Sequence, residues 1–274
     1  MTAGPIIKWV GGKSRLLPEL LLRAPKAFNR YYEPFVGGGA LFFALAPKHA
    51  VLGDMNEALI DMYQTLVFDV EGVIACLRQH KRQHTEDHYY EVRTWWNEER
   101  SKCIDGVSVA AAFIYLNKTC FNGLWRVNKS GEFNVPMGDY KDPAIYDPDA
   151  LRAAVNVLEK ATLMVNEFDI TAGNAKAGDF VYFDPPYVPI SITSSFTSYT
   201  TGVFGEKQQV ALANHARDLV DKGVHVMLSN NDVPLVHELY KGFHIDVVQR
   251  AGTVSSKGSK RGKVNEVIIT DGGN

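Results

Sequence analysis

The sequence predicts an α/β fold, an open sheet with helices on both faces that a mainly helical insertion interrupts. Near the N-terminus, a strand ending at Phe35 meets the glycine turn Val36-Gly37-Gly38-Gly39 and a helix over 40–46. A second strand, Ala50–Gly53, then ends at Asp54. This order of elements, with an acid after the second strand, is typical of the beginning of a nucleotide-binding sheet. Alternating strands and helices return in the second half, whereas helix patterns fill much of the middle.

The first half contains one helix before the strands and several after them. Leucines at helical spacing predict a helix over 14–23, and another begins at Asn56. Three helices rich in His, Arg, Tyr and Trp follow between about 69 and 116. The glycine- and asparagine-rich stretch 117–138 then carries a predicted hairpin turn at Lys129-Ser130-Gly131.

The second half resumes with a helix over 148–160. The further predicted elements are strands at 162–166 and 180–183, a helix at 206–222, a strand at 224–228, a helix at 233–240 and strands at 244–248 and 264–270. We therefore expect a sheet domain made of residues 1–56 and 148–274, and an inserted domain at 57–147.

The composition argues against a membrane-spanning protein, a disulfide-rich secreted protein and a zinc-binding protein. The 274 residues carry a formal net charge of −2, are 46% hydrophobic and 22% charged, and include no apolar run long enough to span a bilayer. The N-terminus lacks the charged and apolar regions of a signal peptide. Three cysteines, none at zinc-ligand spacing, favour a reducing, cytoplasmic setting without a disulfide framework or a structural metal.

Basic residues concentrate in three acid-poor segments. Residues 8–30 carry six basic residues and one acid, residues 107–131 carry three and none, and residues 247–265 carry five and none. Together they could form a basic face for binding phosphates. The alternative is that each is an ordinary solvated surface, the common fate of a single basic run.

The tetrapeptide Asp184-Pro185-Pro186-Tyr187, directly after the apolar strand Phe180–Phe183, is the most informative motif. Each proline fixes its own φ, lacks an N–H and keeps the preceding residue out of helical geometry, so the turn is rigid and extended. It offers a carboxylate, backbone carbonyls and an aromatic face, which suit a planar ring that bears an amino group. On the tetrapeptide alone, an ordinary surface turn is the alternative.

The glycine turn within Glu33–Gly39 lies where an open α/β sheet binds its ligand. Its glycines permit positive φ and close approach of a ligand. Because Phe42 occupies the place of the last glycine in Gly-x-Gly-x-x-Gly and no Lys-Ser/Thr pair follows, a phosphate cradle is not expected. Asp54, 17 residues past Gly37, can accept hydrogen bonds from a ribose diol or cap the helix near Asn56. Both roles can hold if Asn56 is the cap.

Two lysines flank the glycine pair in Lys8-Trp9-Val10-Gly11-Gly12-Lys13, just before a predicted helix. Cations are disfavoured at a helix N-terminus, and an anionic group such as a carboxylate or phosphate would relieve that cost. Alternatively, Trp9 simply packs beside the glycines against the first strand.

Taken in order, these motifs resemble those of the DNA adenine-N6 methyltransferases of the Dam type, and the resemblance spans nearly the whole chain. Residues 117–126 and 131–138 look like that family's DNA-reading hairpin region. Residues 189–199 resemble the loop after its catalytic turn, and Leu228-Ser229-Asn230 and 255–266 also match.

The resemblance implies a Rossmann-like class I domain that binds S-adenosylmethionine (AdoMet) at 1–56 and 148–274, and a DNA-binding target-recognition domain at 57–147. AdoMet would be the methyl donor and double-stranded DNA the partner, with no metal, no membrane and no obligate protein partner. The implied cofactor-binding residues are Trp9, Lys13, Phe35, Gly37, Gly39, Asp54, Phe168 and Asp184. Asp54 would hold the ribose hydroxyls, and Phe168 would pack on the adenine.

The same resemblance assigns the chemistry to Asp184, Pro185 and Tyr187. Asp184 and the Pro185 carbonyl would accept hydrogen bonds from the N6 amino group of a flipped adenine, on which Tyr187 would stack. The residues implied to contact DNA, in a GATC-like site, are Lys8, Phe121, Asn122, Leu124, Arg126, Pro136 and Tyr140. Many relatives carry Tyr in place of Phe121, so a hydroxyl contact is lost there while the ring still stacks. Arg126 is the best candidate for reading a guanine, with phosphate contact alone as the alternative.

The sequence therefore predicts an adenine-specific DNA methyltransferase of a bacterial nucleoid or a phage-infected cell, where it could serve repair marking during DNA replication, regulation, phage protection or restriction-modification. Methylation of RNA or of a protein amide is one alternative, against which Arg126 and the basic segments favour DNA. A catalytically silent DNA-binding homologue is another, which the joint presence of Lys13, Asp54, Asp184 and Tyr187 disfavours.

Overall fold

The computed structural model describes residues 3–102, 105–189, 204–249 and 265–272. Parts of four predictions fall outside these ranges: the loop motif from Ile190 to Tyr199, all five basic residues of the segment 247–265, residues 255–264 of the matching motif 255–266, and Cys103. Every residue predicted to contact the cofactor or the DNA lies inside them.

The strands of the described residues form one sheet. They are β1 (Tyr31–Glu33), β2 (Ala50–Asp54), β3 (Ala161–Val165), β4 (Phe180–Phe183), β5 (His225–Asn231), β6 (His244–Gln249) and β7 (Asn265–Thr270). Their order in the sheet is β3-β2-β1-β4-β5-β7-β6. β1 pairs in parallel with β2 and β4, and β4 with β5, whereas β7 lies antiparallel between β5 and β6. The predicted α/β fold is confirmed.

Side-chain caps explain where several helices begin. The helices are α1 (Leu17–Arg23), α2 (Ala40–Leu45), α3 (Glu57–Phe68), α4 (Val70–Arg82), α5 (Glu86–Glu99), α6 (Gly106–Thr119), α7 (Pro148–Leu158), α8 (Phe168–Ala172), α9 (Glu206–Asp221) and α10 (Pro234–Leu239). Asp69, Thr85 and Asp105 each accept a backbone N–H from the first turn of α4, α5 and α6. Such a cap satisfies a donor that the helix itself cannot pair.

Two helical predictions differ from the structure. The helix predicted over 14–23 is a 3₁₀ turn at Lys13–Arg15 followed by α1, whose first turn holds a proline. The sequence does not predict α8, because five residues are too few to show a helical period.

The chain forms two compact units. The first comprises Met1–Lys13, Gly37–Pro47 and Asp54–Val165. The second comprises Ser14–Val36, Lys48–Gly53 and Asn166–Asn274. The functional division into a catalytic and a recognition domain stays a prediction.

In the first unit, α3, α4 and α5 pack against α6. Every residue of α6 from Ala110 to Asn117 is buried, as expected of a central helix that is apolar on all sides. The Trp125 ring lies between Phe113 of α6 and Phe133, with centroid distances of 3.7 and 4.6 Å. These rings anchor the hairpin region to the helices.

The predicted hairpin turn at Lys129-Ser130-Gly131 is confirmed. The Gly131 N–H donates to the Asn128 carbonyl at 2.9 Å, and Gly131 has a φ of +80°. Among the described residues its arms make isolated antiparallel bridges rather than strands. Side chains at the end of α5 occupy backbone groups that a strand would pair. Asn97 of α5 binds both the N–H and the carbonyl of Phe133, at 2.8 and 3.1 Å, and Arg100, directly after α5, donates to the Gly131 carbonyl at 2.8 Å.

In the second unit, every residue of β4 is buried. Because successive side chains of a strand point to opposite faces, Val181 and Phe183 pack in the core with Leu212 of α9, while Phe180 meets the rings of Phe28 and Tyr31. A strand buried on both faces holds its end firmly, and the Asp184–Tyr187 turn begins there.

Candidate functional site

The first unit holds the Lys8–Lys13 segment as a tight turn. The Gly12 N–H donates to the Trp9 carbonyl at 3.0 Å, and Gly11 adopts a φ of +78°, which glycine permits. Lys13 is buried, and its Nζ donates to the Gly11 carbonyl at 2.6 Å. The turn therefore carries a fixed positive charge.

Gly37 joins Trp9 to Asp54. The Trp9 ring lies so close that a Cβ on Gly37 would stand 2.6 Å from Trp9 Cδ1, and Gly37 has a φ of +46°. The Gly37 N–H donates to Asp54 Oδ2 at 3.1 Å, and its carbonyl accepts from the Tyr63 hydroxyl at 2.9 Å. Three residues of the predicted cofactor set thus meet at a position that only glycine fits.

Of the two roles that the sequence left open, Asn56 takes that of helix cap, and ribose binding by Asp54 stays a prediction. Asn56 Oδ1 accepts the Leu59 N–H at 3.2 Å and caps α3, so the interpretation of Asn56 as the cap is confirmed. Asp54 Oδ1 accepts the Asn56 N–H at 2.9 Å. Burial raises the pKa of Asp54, and backbone N–H donors, including that of Gly37, oppose the rise. Each carboxylate oxygen accepts more than one hydrogen bond, so Asp54 keeps capacity for a diol.

The second unit contains an aromatic cluster around Phe35 and Phe168. These two rings stack with centroids 5.9 Å apart, and Phe204 meets them edge-on at 5.4 and 6.1 Å. His215 of α9 lies 5.8 Å from Phe168 and 6.2 Å from Phe183, and its buried Nε2 has no hydrogen-bond partner among the described residues. A stack of rings beside an unpaired nitrogen fits a purine, which offers a flat face and polar edges.

The Asp184–Tyr187 turn is held by side chains of neighbouring elements. Ser229 of β5 donates to Asp184 Oδ1 at 2.9 Å, and Ser229 Oγ lies 2.8 Å from the Tyr182 hydroxyl. Gln209 of α9 donates to the Pro186 carbonyl at 2.8 Å. Because Ser229, Tyr182 and Gln209 are buried, these hydrogen bonds act in a low-dielectric surround and fix the turn.

The Tyr187 ring is tied down through its hydroxyl, which donates to Glu266 of β7 at 3.0 Å. Burial raises the pKa of Tyr187, and the carboxylates of Asp184 and Glu266 raise it further, so the phenol keeps its proton. Asn230 Oδ1 accepts the Val188 N–H at 3.0 Å and extends this support past the turn. The aromatic face of the motif is therefore fixed as firmly as its carboxylate.

Several residues predicted to contact DNA meet in the first unit. Lys8 Nζ lies 4.2 Å from the ring centroid of Tyr140 and 3.2 Å from its hydroxyl. The Phe121 N–H donates to the Pro136 carbonyl at 2.9 Å, and half of the Phe121 surface is exposed. Asn122 adopts a φ of +55°, which is uncommon for a residue other than glycine and marks a constrained turn.

Arg126 lies exposed on the hairpin. Its Nε donates to Asn134 Oδ1 at 2.8 Å, across the turn. A guanidinium has five N–H groups, so one bond to Asn134 leaves donors for a base edge or a phosphate. Leu124, two residues earlier, is held by a hydrogen bond from its N–H to the Phe121 carbonyl at 3.2 Å.

A comparison with protein families shows the family of this chain. A model of the D12 class N6 adenine-specific DNA methyltransferases matches residues 9–254. This chain belongs to the D12 class. Its membership confirms the predicted resemblance and the prediction of an adenine-specific DNA methyltransferase, and it implies AdoMet as methyl donor and DNA as substrate. The sheet agrees with the class I AdoMet methyltransferase fold.

Relatives of this D12-class chain match nearly end to end. A type II methyltransferase of Lactococcus lactis subsp. cremoris is 42% identical over 272 residues, covering 98% of this chain and 96% of the relative. A type II methyltransferase of Methanocaldococcus jannaschii is 40% identical over 278 residues, covering 95% and 96%. A DNA adenine methylase of Vibrio cholerae is 34% identical over 269 residues, covering 96% and 94%.

The described residues of this D12-class chain lack two features. None of their helices is long and apolar enough to cross a membrane. No group of three or more His, Cys, Asp or Glu side chains among them could hold a metal ion.

Sequence reasoning missed the residues that hold this D12-class site. Gln209 and His215 occupy an ordinary helical pattern, and nothing in their spacing marks them. Ser229 stands in a matching motif from which no role followed. Asn97 and Asn117 have one signal in the sequence. Each is a polar amide at a helix position where the apolar pattern predicts an inward-facing residue.

Proposed function

We propose that this D12-class enzyme transfers the methyl group of AdoMet to the N6 amino nitrogen of an adenine flipped out of duplex DNA, within a GATC-like site. The observation that carries the proposal is the Asp184–Tyr187 turn. Its carboxylate accepts from Ser229, its Pro186 carbonyl from Gln209, and its phenol donates to Glu266. A turn so restrained is preorganised for one ligand geometry.

AdoMet supplies an electrophilic methyl group carried on a sulfonium. In this proposal Trp9 and Lys13 hold its methionine end, where the buried ammonium of Lys13 suits the carboxylate. Asp54 accepts hydrogen bonds from the ribose hydroxyls, while Phe35 and Phe168 pack on the adenine. Gly37 and Gly39 line the pocket with their backbone, because they have no side chains.

The target nitrogen needs activation because its lone pair is delocalised into the adenine ring. Asp184 and the Pro185 carbonyl accept its two N–H bonds and favour the pyramidal form, whose lone pair points at the methyl carbon. As the new N–C bond formed, the C–S bond would break, S-adenosylhomocysteine would leave and the methylated nitrogen would release its extra proton to solvent. Holding both reactants in near-attack geometry supplies much of the remaining rate.

Flipping the adenine costs a few kcal/mol, which stacking on Tyr187 partly offsets, since one base–aromatic stack contributes about 1–3 kcal/mol. Phe121 and Asn122 fill the gap that the base leaves. Their place on a constrained turn, with the Phe121 ring half exposed, supports this assignment.

Sequence reading is assigned to the inserted domain at 57–147, with 1–56 and 148–274 as the catalytic domain. Arg126 pairs with a guanine, a contact that discriminates by about 1–3 kcal/mol. The other assigned base contacts are Lys8, Leu124, Pro136 and Tyr140. Because relatives carry the names type II methyltransferase and DNA adenine methylase, the proposed settings include restriction-modification.

The test is methyl transfer from labelled AdoMet to three substrates: a GATC-containing duplex, a duplex of the same composition with the site scrambled, and an RNA of matching sequence. We expect label on the first duplex alone, released as N6-methyladenine on digestion. Equal labelling of both duplexes contradicts the site, label on the RNA contradicts the substrate, and DNA binding without transfer at saturating AdoMet contradicts the activity.

A further inference from the structure

Asn117, near the end of α6, binds both backbone groups of Lys8. Its Oδ1 accepts the Lys8 N–H at 2.8 Å, and its Nδ2 donates to the Lys8 carbonyl at 2.7 Å. The Asn117 side chain is wholly buried. A paired donor and acceptor is what a neighbouring strand would supply, so this amide fixes the Lys8 backbone as a strand partner would.

Lys8 is followed directly by Trp9, whose position α6 also determines. The Trp9 ring stacks on Phe113 of α6, with centroids 6.5 Å apart and planes at 22°, and it also lies against Gly37. Phe113 and Asn117 lie four residues apart, on one face of the helix. One helix face therefore sets both Lys8 and Trp9.

Lys8 is also packed against the turn Phe121–Gly123. The aliphatic part of its side chain lies against Gly123, leaving no room for a Cβ there, and Gly123 has a φ of +62°. Asn117 Nδ2 lies 3.5 Å from the Gly123 carbonyl, and Lys8 Nζ lies 3.4 Å from the Lys118 carbonyl. The Asn117 amide thus contacts both the segment that leads into Trp9 and the turn that contains Phe121 and Asn122.

We propose that Asn117 is a positioning residue. By binding the Lys8 backbone, it fixes the position of the Lys8–Lys13 turn, which is assigned to the cofactor, relative to the Phe121–Gly123 turn, which is assigned to DNA. The proposal rests on the assigned contacts of Trp9 with AdoMet and of Lys8 and Asn122 with DNA. Removing the amide takes away the partner of two part-buried backbone groups of Lys8, and polar groups that lose a partner in a part-buried position favour local rearrangement. Both ligands then lose contact geometry through a residue assigned to touch neither.

Asn97 provides a matched control. It makes the same two-point clamp, at 2.8 and 3.1 Å, but on Phe133 of the hairpin. Its substitution removes the same chemistry from the same unit at a position that supports the hairpin alone. The pair therefore separates loss of a two-point amide clamp from loss of the coupling through Lys8.

The test compares the full-length protein with its Asn117→Leu and Asn97→Leu variants. Dissociation constants are measured by calorimetry for S-adenosylhomocysteine and for a GATC duplex, with a thermal melt of each variant. We expect Asn117→Leu to weaken both ligands by roughly tenfold, equivalent to about 1.4 kcal/mol. Asn97→Leu should weaken the duplex alone. Lys8→Ala should cost less duplex affinity in the Asn117→Leu background than alone, the non-additivity of a shared element.

Two results overturn the role of Asn117: a lowered melting temperature with both dissociation constants unchanged, or the same ligand pattern as Asn97→Leu. If Asn117→Leu loses its cooperative melt, Asn117→Asp carries the test, because it keeps the acceptor for the Lys8 N–H and loses the donor to the carbonyl. An unmutated protein that methylates no substrate and binds neither ligand refutes the proposed function instead. If the unmutated protein is active and the Asn117 variants bind both ligands as tightly as it does, the positioning role alone is refuted.

Discussion

The Asp184–Tyr187 turn and the Lys129–Gly131 hairpin are both held by side chains from other elements, but at different groups. At the Asp184–Tyr187 turn, partners bind the groups assigned to the reaction: Ser229 binds the Asp184 carboxylate, and Glu266 binds the Tyr187 hydroxyl. At the hairpin, Asn97 and Arg100 bind backbone groups only. Its assigned reader, Arg126, stays exposed.

This difference suits two tasks. A reaction needs its functional groups preorganised before the substrate arrives, because reorganising them costs part of the rate. Reading a base sequence needs a backbone fixed in place and side chains that can still reach base edges. Variants at the first region should therefore change turnover, and variants at the second should change affinity and selectivity.

The largest effect is expected for Asp184→Ala. Losing a preorganised hydrogen-bonding group costs roughly 10²–10³ in turnover, and here the assigned acceptor of the target amino group disappears altogether. Single-turnover methyl transfer measures the loss of activity, and calorimetry measures whether the variant still binds S-adenosylhomocysteine. Undiminished turnover would refute the role of Asp184, and measurable binding of the product shows that the fold survives.

Gly37→Ala should give the next largest effect. Its positive φ strains any other residue by roughly 1–3 kcal/mol, and the new Cβ would press on the Trp9 ring. We expect cofactor affinity to fall by tenfold or more, on the order of that strain. Gly38→Ala is the matched control, since a Cβ there meets Trp9 at 3.4 Å. Similar losses from both variants would show that Trp9 packing does not govern the cofactor.

Arg126→Ala tests the hairpin. We expect it to relax discrimination at one base pair by about 1–3 kcal/mol while non-specific binding falls less. Lys129→Ala, on the same hairpin, should weaken cognate and scrambled duplexes alike, as loss of a phosphate contact does. Competition binding over single-base variants of the site measures both. Equal losses on cognate and scrambled duplexes from Arg126→Ala would reassign it to a phosphate.

Ser229→Ala should have a smaller effect on the reaction. A single buried hydrogen bond contributes about 1 kcal/mol, so turnover should fall by roughly fivefold while KM for the duplex stays constant. The readout is the separation of kcat from KM. A raised KM with unchanged kcat would place Ser229 in ground-state binding instead.

The smallest effect on the reaction is expected from pH, which acts on the stability of the helices that support the hairpin. His80 Nδ1 lies 3.1 Å from His88 Nε2, and burial, with repulsion from His88, lowers the pKa of His80 to about 4. The unfolded chain takes up a proton near pH 6.5, so the free energy of unfolding falls as pH decreases from about 6.5 to 4, by at most about 1.4 kcal/mol per unit from this group. Urea melts at pH 7 and 5 should show this slope, and His80→Phe should flatten it. The exposed His49→Gln is the control, and a slope unchanged in His80→Phe would contradict the assignment.

The parts of the fold that sequence predicts are those fixed by local chemistry. An uninterrupted apolar run places β4 at Phe180–Phe183, and the polar residue Asn56 caps the following helix as expected. The hairpin turn follows from its Asn, Ser and Gly residues alone. Each of these features needs only neighbours in the chain.

What sequence could not predict depends on distant partners. Asn117 is 109 residues from Lys8, and Ser229 is 45 residues from Asp184, so no local pattern joins them. The antiparallel position of β7 between β5 and β6 likewise depends on the assembled sheet. The groups assigned to ligands stand out in the sequence, whereas the residues that hold them do not.

The central claim is that the Asp184–Tyr187 turn serves methylation of adenine N6 in duplex DNA. It is tested most directly by expressing the chain and its Asp184→Ala variant in a host that lacks DNA methylation, followed by genome-wide mapping of modified bases. The account predicts N6-methyladenine at one short GATC-like site with the unmutated chain and none with the variant. Unmodified DNA from the unmutated chain, or equal modification by both proteins, would contradict it.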